Sequence, residues 1–134
     1  MVSQKRRVLV VDDYEDSAEI ACLLLESLGF ECRAAHTGRD ALRLAAQYHP
    51  EIVLLDITLP DVTGYELVGL LREQLKVDDP YLVALTALGS VEDCARSFEA
   101  GFDQHVVKPL DLARLTAVMT EAMRGSRQDP RSEL

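Results

Sequence analysis

Short apolar runs recur along the chain at Val8 to Val11, Ile52 to Leu55, Leu82 to Leu85 and Val106 to Val107, and each reads as a buried strand. The run Ile52 to Leu55 has the near-continuous apolar character of a strand covered on both faces, which makes it the expected central strand. Between these runs the period changes. Tyr14 to Leu28 carries Ile20, Leu23, Leu24 and Leu28 at helical spacing and is closed by Gly29. Glu31 to Ala35 is a short extended segment, and Thr37 then caps a helix reaching about Gln47, with Ala41, Leu42, Ala45 and Ala46 on its apolar side. Pro50 ends that unit.

The second half repeats the alternation. Turn formers fill Thr58-Leu59-Pro60-Asp61-Val62-Thr63-Gly64 ahead of a helix over about Tyr65 to Gln74. Tyr81 to Leu85 is the fourth strand, a helix runs from about Ser90 to Ala100 with Gly101 as its cap, and Asp103 to Val107 is the fifth strand. Asp111 caps a last helix to about Met123. Strands and helices in this order predict an α/β fold: a parallel sheet with right-handed crossovers and helices on both faces. The expected domain spans residues 1–124, with 125–134 a polar, loose tail.

Composition narrows the function classes. With 134 residues and 48% hydrophobic content, the chain fits one compact domain with a real core. A net charge of −9 argues against nonspecific binding to nucleic acid or anionic membrane, which are themselves negative. No signal-like N-terminus or helix-long apolar run is present, so a cytoplasmic protein is expected. Cys22, Cys32 and Cys94 lack C-x-x-C spacing, and the expectation is plain reduced thiols. His36 and His49 read as surface or loop residues.

The chemistry is concentrated where strands end. Asp12-Asp13, Asp56, Thr86 and Lys108-Pro109 each lie directly after, or just beyond, an apolar run, and in an open parallel sheet such positions converge on one crevice without being neighbours in sequence. Three carboxylates there repel one another, and one lysine does not neutralise them. A divalent cation is implied.

The acidic pair after the first strand, Asp56 with Pro60 four residues later and Gly64 beyond, Thr86-Ala87, and Lys108-Pro109 together resemble the receiver domain of two-component response regulators over about residues 6–123. The resemblance implies a doubly wound, flavodoxin-like five-stranded sheet of order 2-1-3-4-5, and a phosphoacceptor rather than an enzyme. Asp56 would take a phosphoryl group from a histidine on a sensor histidine kinase or a histidine phosphotransfer protein. Asp12, Asp13 and Asp56 would hold Mg²⁺ with the Thr58 carbonyl, matching its preference for hard oxygen ligands. Lys108 and Thr86 would bind phosphoryl oxygens, and the Lys108-Pro109 bond would be cis. Phosphorylation would switch the surface of the fourth helix, fifth strand and fifth helix. His105 stands where many receivers carry the Tyr or Phe that turns inward; protonation would oppose that burial below about pH 6.5. Thr58 and Leu88 would flank the path of attacking water, and Leu88, with no donor or acceptor, predicts slow phosphate loss. The segments Leu82 to Thr86 and Ala100 to Pro109 are similar to receivers of hybrid sensor kinases, and a freestanding receiver is the equal alternative; the downstream target is open.

Other classes fail at specific residues. A haloacid-dehalogenase-like phosphatase wants a second carboxylate two residues after its nucleophile, whereas Tyr14 follows Asp12 and Thr58 follows Asp56 at that distance. A flavodoxin-type carrier wants Ser, Thr and Gly around a flavin phosphate, and the first loop here is Asp-Asp-Tyr-Glu-Asp. A receiver-shaped interaction module without phosphorylation remains the alternative.

Overall fold

The computed structural model describes residues 5–87 and 91–125. Ten elements alternate: β1 (Arg7–Val11), α1 (Glu15–Ser27), β2 (Glu31–Ala35), α2 (Gly38–Tyr48), β3 (Ile52–Asp56), α3 (Gly64–Gln74), β4 (Tyr81–Thr86), α4 (Val91–Ala100), β5 (Gln104–Val107) and α5 (Leu112–Arg124). The strands form one parallel sheet of order β2-β1-β3-β4-β5, as the resemblance implied. All residues of β3 and β4 are buried, which accounts for their unbroken apolar runs.

Alternate strand residues face opposite layers, so the core is split in two. Val8, Val10, Leu54, Val83 and Leu85 pack with Leu25 of α1 and Leu115 and Met119 of α5. On the other face Leu9, Val11, Val53, Leu55 and Leu82 pack with Ala41 and Ala45 of α2 and Leu67, Val68 and Leu71 of α3. The small residues on α2 let it lie close to the sheet, and Thr37 caps it by accepting the Asp40 amide. His49, expected on the surface or in a loop, ends α2 in the left-handed region with φ 54°.

The cysteine expectation is corrected. Cys22 of α1 and Cys32 of β2 are disulfide-bonded, with Cα atoms 5.4 Å apart, and Cys94 is free. The pair is ten residues apart across a helix-to-strand turn, a proximity created by packing α1 onto β2 and invisible to a search for C-x-x-C spacing. Apart from Gly125, in the left-handed region at φ 70°, the tail expected over 125–134 lies outside the described residues, as do Ser90 and Leu88. No helix among the described residues is long and apolar enough to cross a membrane.

Candidate functional site

The carboxyl ends of β1, β3, β4 and β5 deliver the expected residues to one place. Asp12 follows β1 and is 3% exposed; Asp56 closes β3 and is 7% exposed. Asp13, beside Asp12, is exposed. Carboxylate oxygens of Asp12, Asp13 and Asp56 all lie within 4.8 Å of one another. Three anions so close, two of them buried, raise one another's energy unless cations intervene.

One cation is already in place. The Lys108 ammonium donates to Asp56 Oδ2 at 2.6 Å and to Asp12 Oδ2 at 3.1 Å. Burial works to lower its pKa, but the hydrogen bonds and charges of Asp56 and Asp12 outweigh that and hold it above the ordinary value, so Lys108 is charged at neutral pH. The Lys108-Pro109 bond is cis, as the resemblance implied. A second tie comes from the backbone, where the Lys108 amide donates to the Thr86 carbonyl at 2.8 Å, extending the β4–β5 ladder past its last pair, Thr86 with Val107. Thr86 and Lys108 therefore ride on one hydrogen-bonded edge.

Backbone donors orient the two buried carboxylates. The Thr58 amide donates to Asp56 Oδ1 at 2.8 Å, so both Asp56 oxygens carry a donor, and the Tyr14 amide donates to Asp12 Oδ1 at 3.0 Å. His36 lies behind Asp12 with Nδ1 2.9 Å from its carbonyl oxygen; a carbonyl only accepts, so Nδ1 carries the proton. Thr58 also bridges Thr63 across the β3–α3 loop. That loop returns tightly because Gly64 meets the chain there: a Cβ on Gly64 would lie 2.6 Å from the Ile57 Cα, and its amide donates to the Ile57 carbonyl at 2.7 Å.

The structure thus joins Asp12 and Asp56 through Lys108, brings Asp13 beside them, and places Thr58 and Thr86 at their flanks. Leu88 lies outside the described residues. His105 is half-buried on β5, with Nδ1 2.7 Å from the hydroxyl of Ser97, a fully buried residue of α4. Sequence reasoning missed Ser97, His36 and Asp61, whose roles rest on long-range contacts. A mostly apolar hollow of about 270 Å³ opens beside the carboxylates, lined by Val10, Ile20, Ala21, Leu85, Pro109 and Leu110 together with Asp12, Ser17 and Lys108.

Comparison with known proteins agrees with this geometry. Residues 8–120 match the response regulator receiver domain family. The DNA-binding dual master transcriptional regulator RpaA of Synechocystis sp. is 29% identical over 126 residues, 94% of this chain and 52% of that protein. The chain spans about half the length of the curated relatives it matches. Two solved structures are similar at 26% identity: a CheY-like response regulator receiver domain protein of Methanospirillum hungatei, with a TM-score of 0.82 over 91% of this chain and 96% of that one, and the chemotaxis response regulator CheY4 of Vibrio cholerae, with 0.83 over 89% and 99%. With the sheet order and the strand-end cluster in agreement, the chain belongs to the response regulator receiver domain family.

Proposed function

We propose that this domain receives a phosphoryl group on Asp56 from a phosphohistidine of a partner histidine kinase or phosphotransfer protein. The observation that carries the reading is the setting of Asp56: a buried carboxylate at the end of the central strand, held by Lys108 on one oxygen and by the Thr58 amide on the other, with Asp12 and Asp13 beside it.

The donor set suits a hard divalent cation. Asp12, Asp13 and Asp56 offer only carboxylate oxygens, outnumber the single lysine, and with the Thr58 carbonyl would hold Mg²⁺, which when bound supplies charge neutralisation for the incoming phosphoryl oxygens. The remaining work falls to the chain. An Asp56 oxygen attacks phosphorus as the bond from phosphorus to the donor imidazole nitrogen breaks; the nitrogen keeps the bonding pair, and the product is an acyl phosphate on Asp56. Such a transfer needs positioning and charge compensation more than covalent assistance. Lys108, released from one carboxylate contact, would meet a phosphoryl oxygen as a point charge, and Thr86 would donate its hydroxyl to another.

Output runs through α4, β5 and α5 in this reading. Thr86 and Lys108 share one ladder edge, and the Ser97–His105 bond couples α4 to β5, which supports a route from the site to that face. The relatives include transcriptional regulators about twice as long, so such a receiver acting on a linked or docked effector is the downstream proposal. Incubation with a small acyl phosphate and Mg²⁺, followed by intact mass, tests the reading. One added phosphoryl group, absent without Mg²⁺, is expected. No gain in mass would leave an interaction module of receiver shape.

A further inference from the structure

The β3–α3 loop is fastened at more than its base. Beyond the Gly64–Ile57 hydrogen bond and the Thr58–Thr63 bridge, its tip reaches a different helix. Asp61 Oδ1 accepts the Gly38 amide at 2.8 Å, and Oδ2 accepts the Arg39 amide at 3.0 Å. These are the first two residues of α2, and Thr37 satisfies the third amide, that of Asp40, at 3.0 Å. Val62 lies over Gly38 in the space a side chain there would fill. The loop tip is therefore both hydrogen-bonded to α2 and seated against it.

The arrangement makes chemical sense for a carboxylate. Two acceptor oxygens meet two parallel amides at the positive end of a helix, and the Gly38 and Arg39 bonds lower the Asp61 pKa, which keeps it ionised. Alpha-two is in turn fixed to the sheet through its buried Ala41 and Ala45. A continuous path results: sheet, α2, Asp61, loop, Thr58 amide, Asp56 Oδ1.

We propose that Asp61 is a positioning residue: by pinning the tip of the β3–α3 loop to the first turn of α2, it holds the Thr58 amide on Asp56 and so fixes how the Asp56 carboxylate faces Asp12, Asp13 and Lys108. Its importance for phosphoryl transfer rests on the reading of Asp56 as phosphoacceptor; the positioning itself does not. An Asn at this position keeps one acceptor oxygen, and an Ala keeps none.

The test compares Asp61→Ala and Asp61→Asn with Thr37→Ala, which loosens the same helix end without touching the loop. Two readouts are taken on unphosphorylated protein: hydrogen exchange of the Thr58 amide without metal, and Mg²⁺ affinity from NMR shifts of the Asp13 and Asp56 amides. Asp61→Ala should speed Thr58 exchange and weaken Mg²⁺ binding by about tenfold each, the scale of a lost charge-assisted hydrogen bond, with Asp61→Asn between it and wild type. Thr37→Ala should move neither. Equal shifts in Thr37→Ala and the Asp61 variants, or wild-type values in the Asp61 variants, would reduce Asp61 to a cap of α2. If Asp61→Ala does not fold, the difference between Asp61→Asn and Thr37→Ala decides. Wild-type protein that gains no mass from acyl phosphate would remove the phosphoacceptor reading while leaving both readouts valid.

Discussion

The two ends of the sheet each hold a half-buried cation against carboxylates, and they differ in how well the charges close. At the amino-terminal end Arg72 of α3 donates to Asp103 Oδ2 at 2.7 Å, to the Gly101 carbonyl at 2.7 and 3.1 Å and to the Pro80 carbonyl at 2.9 Å. Asp103 also accepts the Leu82 amide at 2.9 Å, so the group ties α3 to the starts of β4 and β5. The planar fork of an arginine can serve several fixed acceptors together. At the carboxyl end one lysine, a single point charge, faces Asp12, Asp13 and Asp56. The first arrangement is complete in the protein alone and reads as structure. The second keeps an anionic excess of carboxylates placed close enough to share a metal ion, and it reads as a candidate site.

The sharpest way to break this contrast is Asp56→Asn. It should abolish phosphoryl uptake measured by intact mass while the protein stays folded, and uptake at the wild-type rate would end the assignment. Next in size is Arg72→Ala, which should cost roughly 2–4 kcal/mol in urea unfolding because it removes the cation paired with the mostly buried Asp103 and a donor to two carbonyls. Under conditions where the variant is folded, labelling of Asp56 should persist; loss of labelling with an intact fold would show that the two ends are coupled. Asp13→Asn should weaken Mg²⁺ binding by about tenfold while the metal-free unfolding midpoint stays level or rises, since one member of a repelling cluster is neutralised. NMR titration and urea melts check both halves.

The smallest effect separates the site from its support. The folded pKa of Asp61 lies below its unfolded value, so its contribution to stability is present above that unfolded value, near pH 4, and is lost as pH falls through the folded pKa. As pH falls below about 5, the urea midpoint of the wild type should fall more steeply than that of Asp61→Asn. Parallel curves would mean that the two amide bonds give the ionised form no advantage.

Much of this was legible in the chain. The continuous apolar runs of β3 and β4 announce strands buried on both faces, and Asp56 and Thr86, the polar residues that end them, stand at the crevice for that reason. Asp13, Asp12 and Lys108 follow by the same logic on β1 and β5. What escaped depends on tertiary packing. Asp61 reads as a turn former because its partners are 22 and 23 residues away on another helix. Ser97 reads as one more polar residue of α4 until β5 brings His105 to it. Cys22 and Cys32 are paired only once α1 lies on β2.

The order in which the site is written has a consequence during synthesis. Lys108 lies 96 residues after Asp12 and 52 after Asp56. A chain made from its amino terminus therefore exposes all three aspartates long before their lysine leaves the ribosome. Until β5 emerges, Thr86 also lacks the Lys108 amide that binds its carbonyl. The first four strands therefore emerge with the acidic rim still without its lysine, and the sheet and its covering layer are completed only when β5 and then α5 follow.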